Sequence, residues 1–444
     1  MTGKIRLNSL FLVITLLCII ALSTPAACYA VCVLDYGEVI EKALRHAHDV
    51  RISELDVRIS KAEYRKALSV YWPTVSARWN SEYAKDLTDG TAQLDVIGNT
   101  ILVQNTVYQS SFSLIGNYNL YDFGATTERV SIAAKDVDVK KSVYRQSLRD
   151  IELKVLNIYS ELLINYEEIE AKKELLGLYK ELSLTKERLY RAGTISKIDV
   201  ADEAIRTLKV MDDIDNLKLK IKSLLNDLSF FTGEEYGAES LRVNGFEGGE
   251  DGLDNTFDPE KTPESRIYNL EIEKKEAEIE SLRRGLLPQF GIYSNYIWYA
   301  SHASQINTSA QYIKPRNFIV GVAVTIPLFE GFKSPSEIEK AKLELERLKV
   351  EKSRKMMELS TRYEKLAETH KTSVKNVASQ KDMLAGTEKN LAMSERLIEQ
   401  KTIEWTEFLA RKIDLTNRKF ELTKIMITKA ANIKEMQILA GAGE

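Results

Sequence analysis

Between residues 317 and 342 the chain reads NFIVGVAVTIPLFEGFKSPSEIEKAK, and its apolar period changes partway along. Up to Pro327 every second residue is large and apolar (Phe318, Val320, Val322, Val324, Ile326), the period of a strand with one apolar face. Beyond Pro335 a charged pattern with helical spacing runs toward the C-terminus without another proline. The same order occurs earlier. Phe112, Leu114, Tyr118 and Leu120 alternate with Ser111, Ser113, Asn117 and Asn119, and a long proline-free stretch follows. In it Val137, Tyr144, Leu148, Ile151, Val155, Ile158, Leu162, Tyr166 and Ile169 step by three, four or seven. That spacing makes a helix with a persistent apolar seam, suited to coiled-coil packing. From Ala125 to Arg188 such a helix extends about 95 Å, too long for an ordinary globular core.

The two stretches also align with each other. RLYRAGTISKIDV begins at Arg188 and RLIEQKTIEWTEF at Arg396, and Leu120 of NLYDFG stands 208 residues before Leu328 of IPLFEGF. Strand parity agrees, with Phe112, Leu114 and Tyr118 matching Val320, Val322 and Ile326. A repeat that keeps register and strand face indicates an internal duplication. Each copy reads helix, strand, strand, long helix, turn, long helix: about 36–71, 74–86, 108–120, 125–190 and 197–231, then 264–286, 289–301, 316–328, 335–398 and 405–439. The expected organisation is a leader over 1–30, a first repeat over 31–232, an acidic glycine-rich connector over 233–263 and a second repeat over 264–444. Ser334-Pro335-Ser336-Glu337 reads as a capping box with proline at the first helical position.

The strands carry the sharper functional signal. Val75, Ala77, Trp79 and Tyr83 alternate with Thr74, Ser76, Arg78, Asn80 and Glu82, and Tyr293, Tyr296, Trp298 and Tyr299 add aromatics suited to a membrane interface. Strands of about ten residues with one apolar and one polar face match a membrane β-barrel. A soluble sheet with one wet face shows the same alternation, but helices this long leave no compact core to cover it. Four strands cannot close a barrel, for which about eight is the usual minimum. The chain is therefore expected to supply part of a barrel shared among copies.

Charge and cysteine usage narrow the class. Net charge is −3 over 444 residues, which gives no electrostatic reason for a nucleic-acid partner. Lys4 and Arg6, the apolar run LFLVITLLCIIAL and the small residues of PAACYA read as an export signal. Cys18, Cys28 and Cys32 all lie in or beside it, so an internal disulfide framework is not expected. Cys28 is a candidate for lipidation, although Pro25 stands where a lipobox carries a large aliphatic residue. His46 and His48 face different directions on a helix, His302 and His370 are isolated, and GFEGGEDG would repel phosphate. No enzyme, metal site or cofactor is expected.

Over nearly all of its mature length the chain resembles the TolC family of bacterial outer-membrane efflux and secretion channels. DYGEVIEKALRHAHDVRISELDVRISKAEYRKALSVYWPTVS and GLLPQF resemble its helix-to-strand transitions, and LYDFG and IPLFEGF its strand-to-helix motif. YRAGTISKIDVADEA is similar to its periplasmic helix-turn-helix. The resemblance implies a mostly α fold with a β-barrel portion, in which internally duplicated coiled-coil hairpins and four strands per chain build a shared 12-stranded barrel. It implies a homotrimer in the outer membrane of a Gram-negative bacterium, in contact with lipid and reaching into the periplasm. A periplasmic adaptor (membrane fusion) protein and an inner-membrane pump of RND, ABC or MFS type would be its partners, with the chain as exit duct of a tripartite efflux pump or a type I secretion system.

Residue by residue, the resemblance makes Arg191, Gly193, Thr194, Ile195 and Ser196 an adaptor-facing turn, whose second-copy equivalent has Lys401 for the glycine and Trp405 after it. Asp199 and Glu407, with Asp202 and Glu404 nearby, become candidates for acidic rings at the periplasmic gate. Ala410 and Ile403 stand where the family often has an acid and a base. Trp79, Tyr83, Phe112, Tyr118, Tyr296 and Trp298 are the candidate membrane-strand aromatics. A periplasmic or surface coiled-coil scaffold without a pore is the alternative; an adaptor would need lipoyl-like segments that the sequence lacks.

Overall fold

The computed structural model describes residues 32–83, 93–96, 99–102, 108–237, 241–246, 257–302 and 304–441. In chain order these form β1 (Cys32–Leu34), α1 (Tyr36–His46), α2 (His48–Leu68), β2 (Thr74–Tyr83), β3 (Gln93–Val96), β4 (Asn99–Leu102), β5 (Tyr108–Tyr121), α3 (Ala125–Arg191), α4 (Lys197–Thr232) and β6 (Leu241–Val243). Then follow α5 (Pro263–Arg284), β7 (Gln289–His302), α6 (Ile306–Gln311), β8 (Lys314–Thr325), α7 (Lys333–Glu399) and α8 (Trp405–Ala440). The leader and Cys28 lie outside the described residues. No described helix is long and apolar enough to cross a membrane.

Two compact units divide these elements. One takes the described residues within Met1–Ala47, Glu152–Gly252 and Thr369–Glu435, the other His48–Ile151, Leu253–Glu368 and Met436–Glu444. Each therefore draws on both halves of the sequence. The expected single helix over 36–71 is broken at Ala47, where one unit gives way to the other, and ends in a 3-10 turn over Ser69–Tyr71. No glycine or proline marks that break, so the sequence pattern runs through it.

The second unit holds a four-stranded antiparallel sheet of order β2-β5-β7-β8. The two short strands β3 and β4, between β2 and β5, pair only with each other and were not expected. Helix α5 is tied to α3 by Lys135–Glu273, by Lys274 to Asp136 at 2.7 Å and by the buried pair Arg149–Glu264, and to α7 by Lys275 to Glu344 at 2.9 Å. The first unit holds α3 from Glu152 onward, all of α4, α7 from Thr369 onward and α8 as far as Glu435. Leu175 and Leu182 of α3 pack with Leu409 and Ile413 of α8 in one buried cluster. Of the seam expected on α3, Val137, Ile151, Val155, Leu162 and Ile169 are buried, whereas Tyr144, Leu148, Ile158 and Tyr166 are only partly so.

The duplication extends to individual backbone hydrogen bonds. α3 and α7 are both 67 residues long, and α4 and α8 both 36. At the strand-to-helix junctions two successive residues take positive φ, Phe123 (55°) and Gly124 (88°) in one half, Gly331 (61°) and Phe332 (65°) in the other. The backbone path is the same, but glycine and phenylalanine have exchanged places. Left-handed backbone costs an L-residue about 1–2 kcal/mol, so each junction holds one strained phenylalanine. Asp122 receives Thr126 N–H at 2.9 Å and the Thr126 hydroxyl, and its counterpart Glu330 receives the Ser334 hydroxyl.

The capping box expected at Ser334 is not formed. α7 begins at Lys333, whose N–H reaches Glu330 O at 3.2 Å, and Ser336 Oγ donates to Phe332 O at 2.9 Å. Pro335 lies within the first turn, where N–H groups lack helical acceptors anyway, and so costs no hydrogen bond.

The connector, expected to be irregular, carries β6, which pairs in parallel with β1. Tyr159 of α3, fully buried, donates to Leu34 O at 2.9 Å and is also within hydrogen-bond distance of Asn244 O at 2.8 Å. Its ring packs on Tyr36 and Phe246 at 5.3 and 5.6 Å. Burial holds its phenol well above the ordinary range, so it stays a hydroxyl donor. Tyr159→Phe keeps the ring and removes the hydroxyl. It should destabilise this unit by about 1–3 kcal/mol and raise amide exchange over Cys32–Leu34 and Leu241–Val243, measured by mass spectrometry.

Candidate functional site

The sheet presents two unlike faces. Trp79 pairs with Phe112 and Phe112 with Trp298, and their rings meet at 6.4 and 5.1 Å. Tyr296 extends the row, 4.2 Å from Trp298 and 5.8 Å from Phe318. Tyr83 sits 5.1 Å from Tyr108 and Tyr118 pairs with Ile292, so all six candidate strand aromatics share one face. Tyr293 and Tyr299 point to the other face, with Arg78, Asn80, Ser111, Ser113 and Asn117. There Tyr293 lies across Gly321, where a Cβ would come within 2.7 Å of its ring.

Among the described residues nothing in the second unit covers the apolar face as a core would. Trp79, Val320 and Val322 are 53%, 63% and 65% exposed, and the short helix α6 touches the face only at one end, where Ser309 bonds Ser110 at 2.7 Å. A soluble sheet buries such a face. This one has it facing outward.

The helical turns form the second candidate region. After α3, Gly193 takes φ 76°, with Gly193 N–H on Tyr190 O at 2.9 Å and Thr194 N–H on Leu189 O at 3.0 Å. After α7, Lys401 takes φ 57°, with Lys401 N–H on Ile398 O and Thr402 N–H on Leu397 O, both 2.8 Å. The lysine thus makes the glycine's left-handed turn. Thr194 Oγ1 donates to Leu189 O at 2.8 Å, Arg191 pairs with Glu187 at 2.7 Å, and Ile195 is partly buried.

The four gate candidates have different surroundings. Asp199 is committed to capping α4: its carboxylate accepts from Ser196 Oγ at 2.7 Å and Ser196 N–H at 3.0 Å, while Ser196 Oγ receives Asp199 N–H. The Ser196 hydroxyl, then its N–H, hold that carboxyl below the usual aspartate range, so the cap persists at neutral pH and is lost only as pH falls through the lowered value. In the second turn Glu404 stands in place of Ser196 and receives Thr406 Oγ1 at 3.1 Å. Glu407 pairs with Arg411 one turn on at 2.5 Å. Asp202 is exposed and makes no ion pair among the described residues.

Sequence reasoning missed Glu203. Fully buried, it accepts from Lys186 at 2.7 Å across the hairpin and lies 3.7 Å from Arg206, and its Oε1 has no hydrogen-bond partner. The signal was available, because Glu203 stands seven residues before Val210 on the buried seam of α4. Trp405 was read only as a departure, yet its Nε1 donates to Glu181 of α3 at 3.0 Å. Among the described residues no cluster of His, Cys, Asp and Glu could hold a metal ion.

Residues 39–234 match the family described as outer membrane efflux protein. No curated sequence matches the chain. Among solved structures it is similar to the CmeC outer membrane channel of Campylobacter jejuni, with 14% identity, TM-score 0.77 and coverage of 92% of this chain and 86% of that one. The outer membrane protein VceC of Vibrio cholerae gives 12% identity, TM-score 0.75 and coverage of 91% and 96%. CusC, described as forming a transmembrane channel, gives 16% identity, TM-score 0.73 and coverage of 91% of both chains. At these identities the likeness is one of fold: a helical portion joined to strands that contribute to a barrel. The partial family match and the fold are both of the kind found in outer membrane efflux channel proteins.

Two predictions follow from the turns. No atom lies within 4 Å of a Cβ at Gly193, so Gly193→Ala tests backbone conformation alone and should cost about 1 kcal/mol, while Lys401→Gly should gain a similar amount in thermal unfolding. Lys186→Met strands the buried Glu203 carboxylate and should cost about 3 kcal/mol, with increased proteolysis of the hairpin; adding Glu203→Met should restore most of the loss.

Proposed function

We infer that three copies of the chain form one outer-membrane channel, with a twelve-stranded barrel continued by a helical tunnel. It would serve as the exit duct of a tripartite efflux pump or a type I secretion system. The observation that carries this reading is an aromatic sheet face without a core behind it, on strands that run directly into 67-residue helices. With the apolar face toward lipid, the face bearing Arg78, Asn80, Ser113 and Asn117 lines the lumen. Every backbone group in a spanning sheet needs a partner, which a closed barrel supplies and one chain's four strands do not.

The turns around Gly193 and Lys401 are the surfaces offered to a periplasmic adaptor, with Arg191, Thr194, Ile195 and Ser196 in the first. Of the acids, Asp202 is the best placed for a selectivity ring, Glu407 would form one beside its partner Arg411, and Asp199 is engaged in capping. Repeated by symmetry, each becomes a ring that attracts cations and opposes anions. The exported substrate is set with the pump, outside this chain.

The test is single-channel recording from protein extracted from outer membranes in detergent. Stepwise, cation-selective current is expected, with selectivity lowered by Asp202→Asn and Glu407→Gln. Current indifferent to both substitutions would remove the acidic rings and leave the duct. A well-folded protein that carries no current and is stripped from membranes by carbonate would sink the channel and leave a coiled-coil scaffold.

A further inference from the structure

The chain contains one complete junction between its two halves, β5 against β7, and it leaves a second junction open at β2 and β8, the outer strands of the sheet. The complete one specifies the other. β5, β8 and the long helices correspond at a spacing of 208 residues, whereas α2 with β2 corresponds to α5 with β7 at 215, as Pro73 does to Pro288. The pairing tests both spacings. Trp79 pairs with Phe112, and the residues 215 and 208 further on, Ser294 and Val320, are paired as well. Applied to the β5–β7 pair Leu114–Tyr296, the same spacings give Val322 and Ser81.

We propose that β8 of one subunit pairs antiparallel with β2 of the next at the register that sets Val322 opposite Ser81 of the partner subunit, and that α7 packs along the partner's α2 through Leu343, Val350 and Met357. The proposal rests on the shared barrel proposed above and fixes its seam. Val322 and Ser81 both belong to the apolar face, so the seam keeps that face continuous.

Two further observations, each independent of the strand pairing, agree with this register. At the complete junction Tyr121, Phe123 and Phe290 form a chain of rings at 4.8 and 6.5 Å. At the open one Phe329 and Phe332 pack on each other at 5.7 Å and are otherwise bare, 75% and 74% exposed. The counterpart of Phe290 is Val75, itself 74% exposed, so the partner's Val75 completes the cluster. The phenylalanine–glycine exchange also gains a reason. A Cβ at Gly124 would lie 2.5 Å from the Arg284 guanidinium, while the equivalent neighbour of Phe332 is Ser69 of the partner subunit, small enough to leave room for a ring.

The helices differ in the same way. Inside the chain Lys135 and Arg149 of α3 form ion pairs with α5. Positions 208 beyond Lys135, Ser142 and Arg149 are Leu343, Val350 and Met357, one heptad apart and 60%, 65% and 70% exposed. The corresponding stretch of α2 exposes Ile52, Leu55 and Ile59. Apolar residues at heptad spacing on one helix, opposite apolar residues on another, are what an assembly seam needs.

The experiment pairs cysteines in the full chain in outer-membrane vesicles, with Cys32→Ser as background and each single cysteine as control. Val322→Cys with Ser81→Cys should give disulfide-linked dimers and trimers on oxidation, lost on adding reductant. Val322→Cys with Tyr83→Cys, slipped by one pair, should give several-fold less, because diagonal neighbours are too far apart to bridge. Val350→Glu should reduce detergent-resistant oligomer without unfolding the chain, since the residue is exposed in the single subunit. Equal or preferential linking of the slipped pair overturns the register, as does an intact trimer that links in neither variant. A chain that stays monomeric in the membrane by chemical cross-linking overturns the shared barrel itself.

Discussion

A sheet in lipid must satisfy all its own backbone hydrogen bonds, and four strands of order β2-β5-β7-β8 leave the outer edges of β2 and β8 unpaired. Most other features follow from that constraint. In the proposed barrel the apolar face can remain bare because lipid, not a core, would lie against it, and the aromatic row from Trp79 through Phe112 and Trp298 suits such a surface. The strands run straight into helices with two left-handed residues between them, because a duct has to continue past the membrane without a detour. Asp122 and Glu330 then anchor the start of each helix by accepting from the hydroxyl four residues on.

The period and register of the long elements could be read from the residues. Alternation at Phe112, Leu114 and Tyr118 placed one apolar face correctly, and the matching motifs at Arg188 and Arg396 anticipated two turns with the same hydrogen bonds. What was not legible depended on contacts distant in sequence. The break at Ala47 lies in an unbroken helical pattern and reflects the change from one unit to the other. β6 is visible only through its partner β1 and the Tyr159 hydroxyl that joins them, in a stretch whose glycine and acid content reads as irregular. Glu203 was not singled out because composition alone does not reveal a buried seam position; continuing the heptad back from Val210 would have exposed it. Asp199 was taken for a free acid although Ser196 stood three residues before it, the spacing of a capping box.

The turn regions show how the same backbone can be kept by different means. Gly193 reaches positive φ freely and is followed by a reciprocal Ser196–Asp199 cap. Lys401 makes the same bend under strain, and the position equivalent to Ser196 is Glu404, too long for the same cap. What offsets this loss is tertiary: Trp405 bonds Glu181 on α3 and packs on Phe408, which is itself buried. The second turn is thus held from outside and the first from within. Of the two, the first is better suited to meeting another protein, since its geometry does not rely on contacts a partner would disturb.

The differences between the halves therefore carry more information than their likeness. Where two positions share a backbone conformation, only a difference in neighbours accounts for opposite side chains. Gly124 meets Arg284, whereas Phe332 packs on Phe329 and is otherwise left 74% exposed. Lys135 has Glu273 to neutralise it, whereas Leu343 stands 60% exposed. An exposed leucine in place of a paired lysine is unfavourable in an isolated subunit and favourable in a seam formed only on assembly. A perfectly repeated chain would gain nothing from such a difference, because its internal and external junctions would be alike. In the proposed assembly, ion pairs lie at the junction closed within the chain and apolar residues at the junction that a second copy would close.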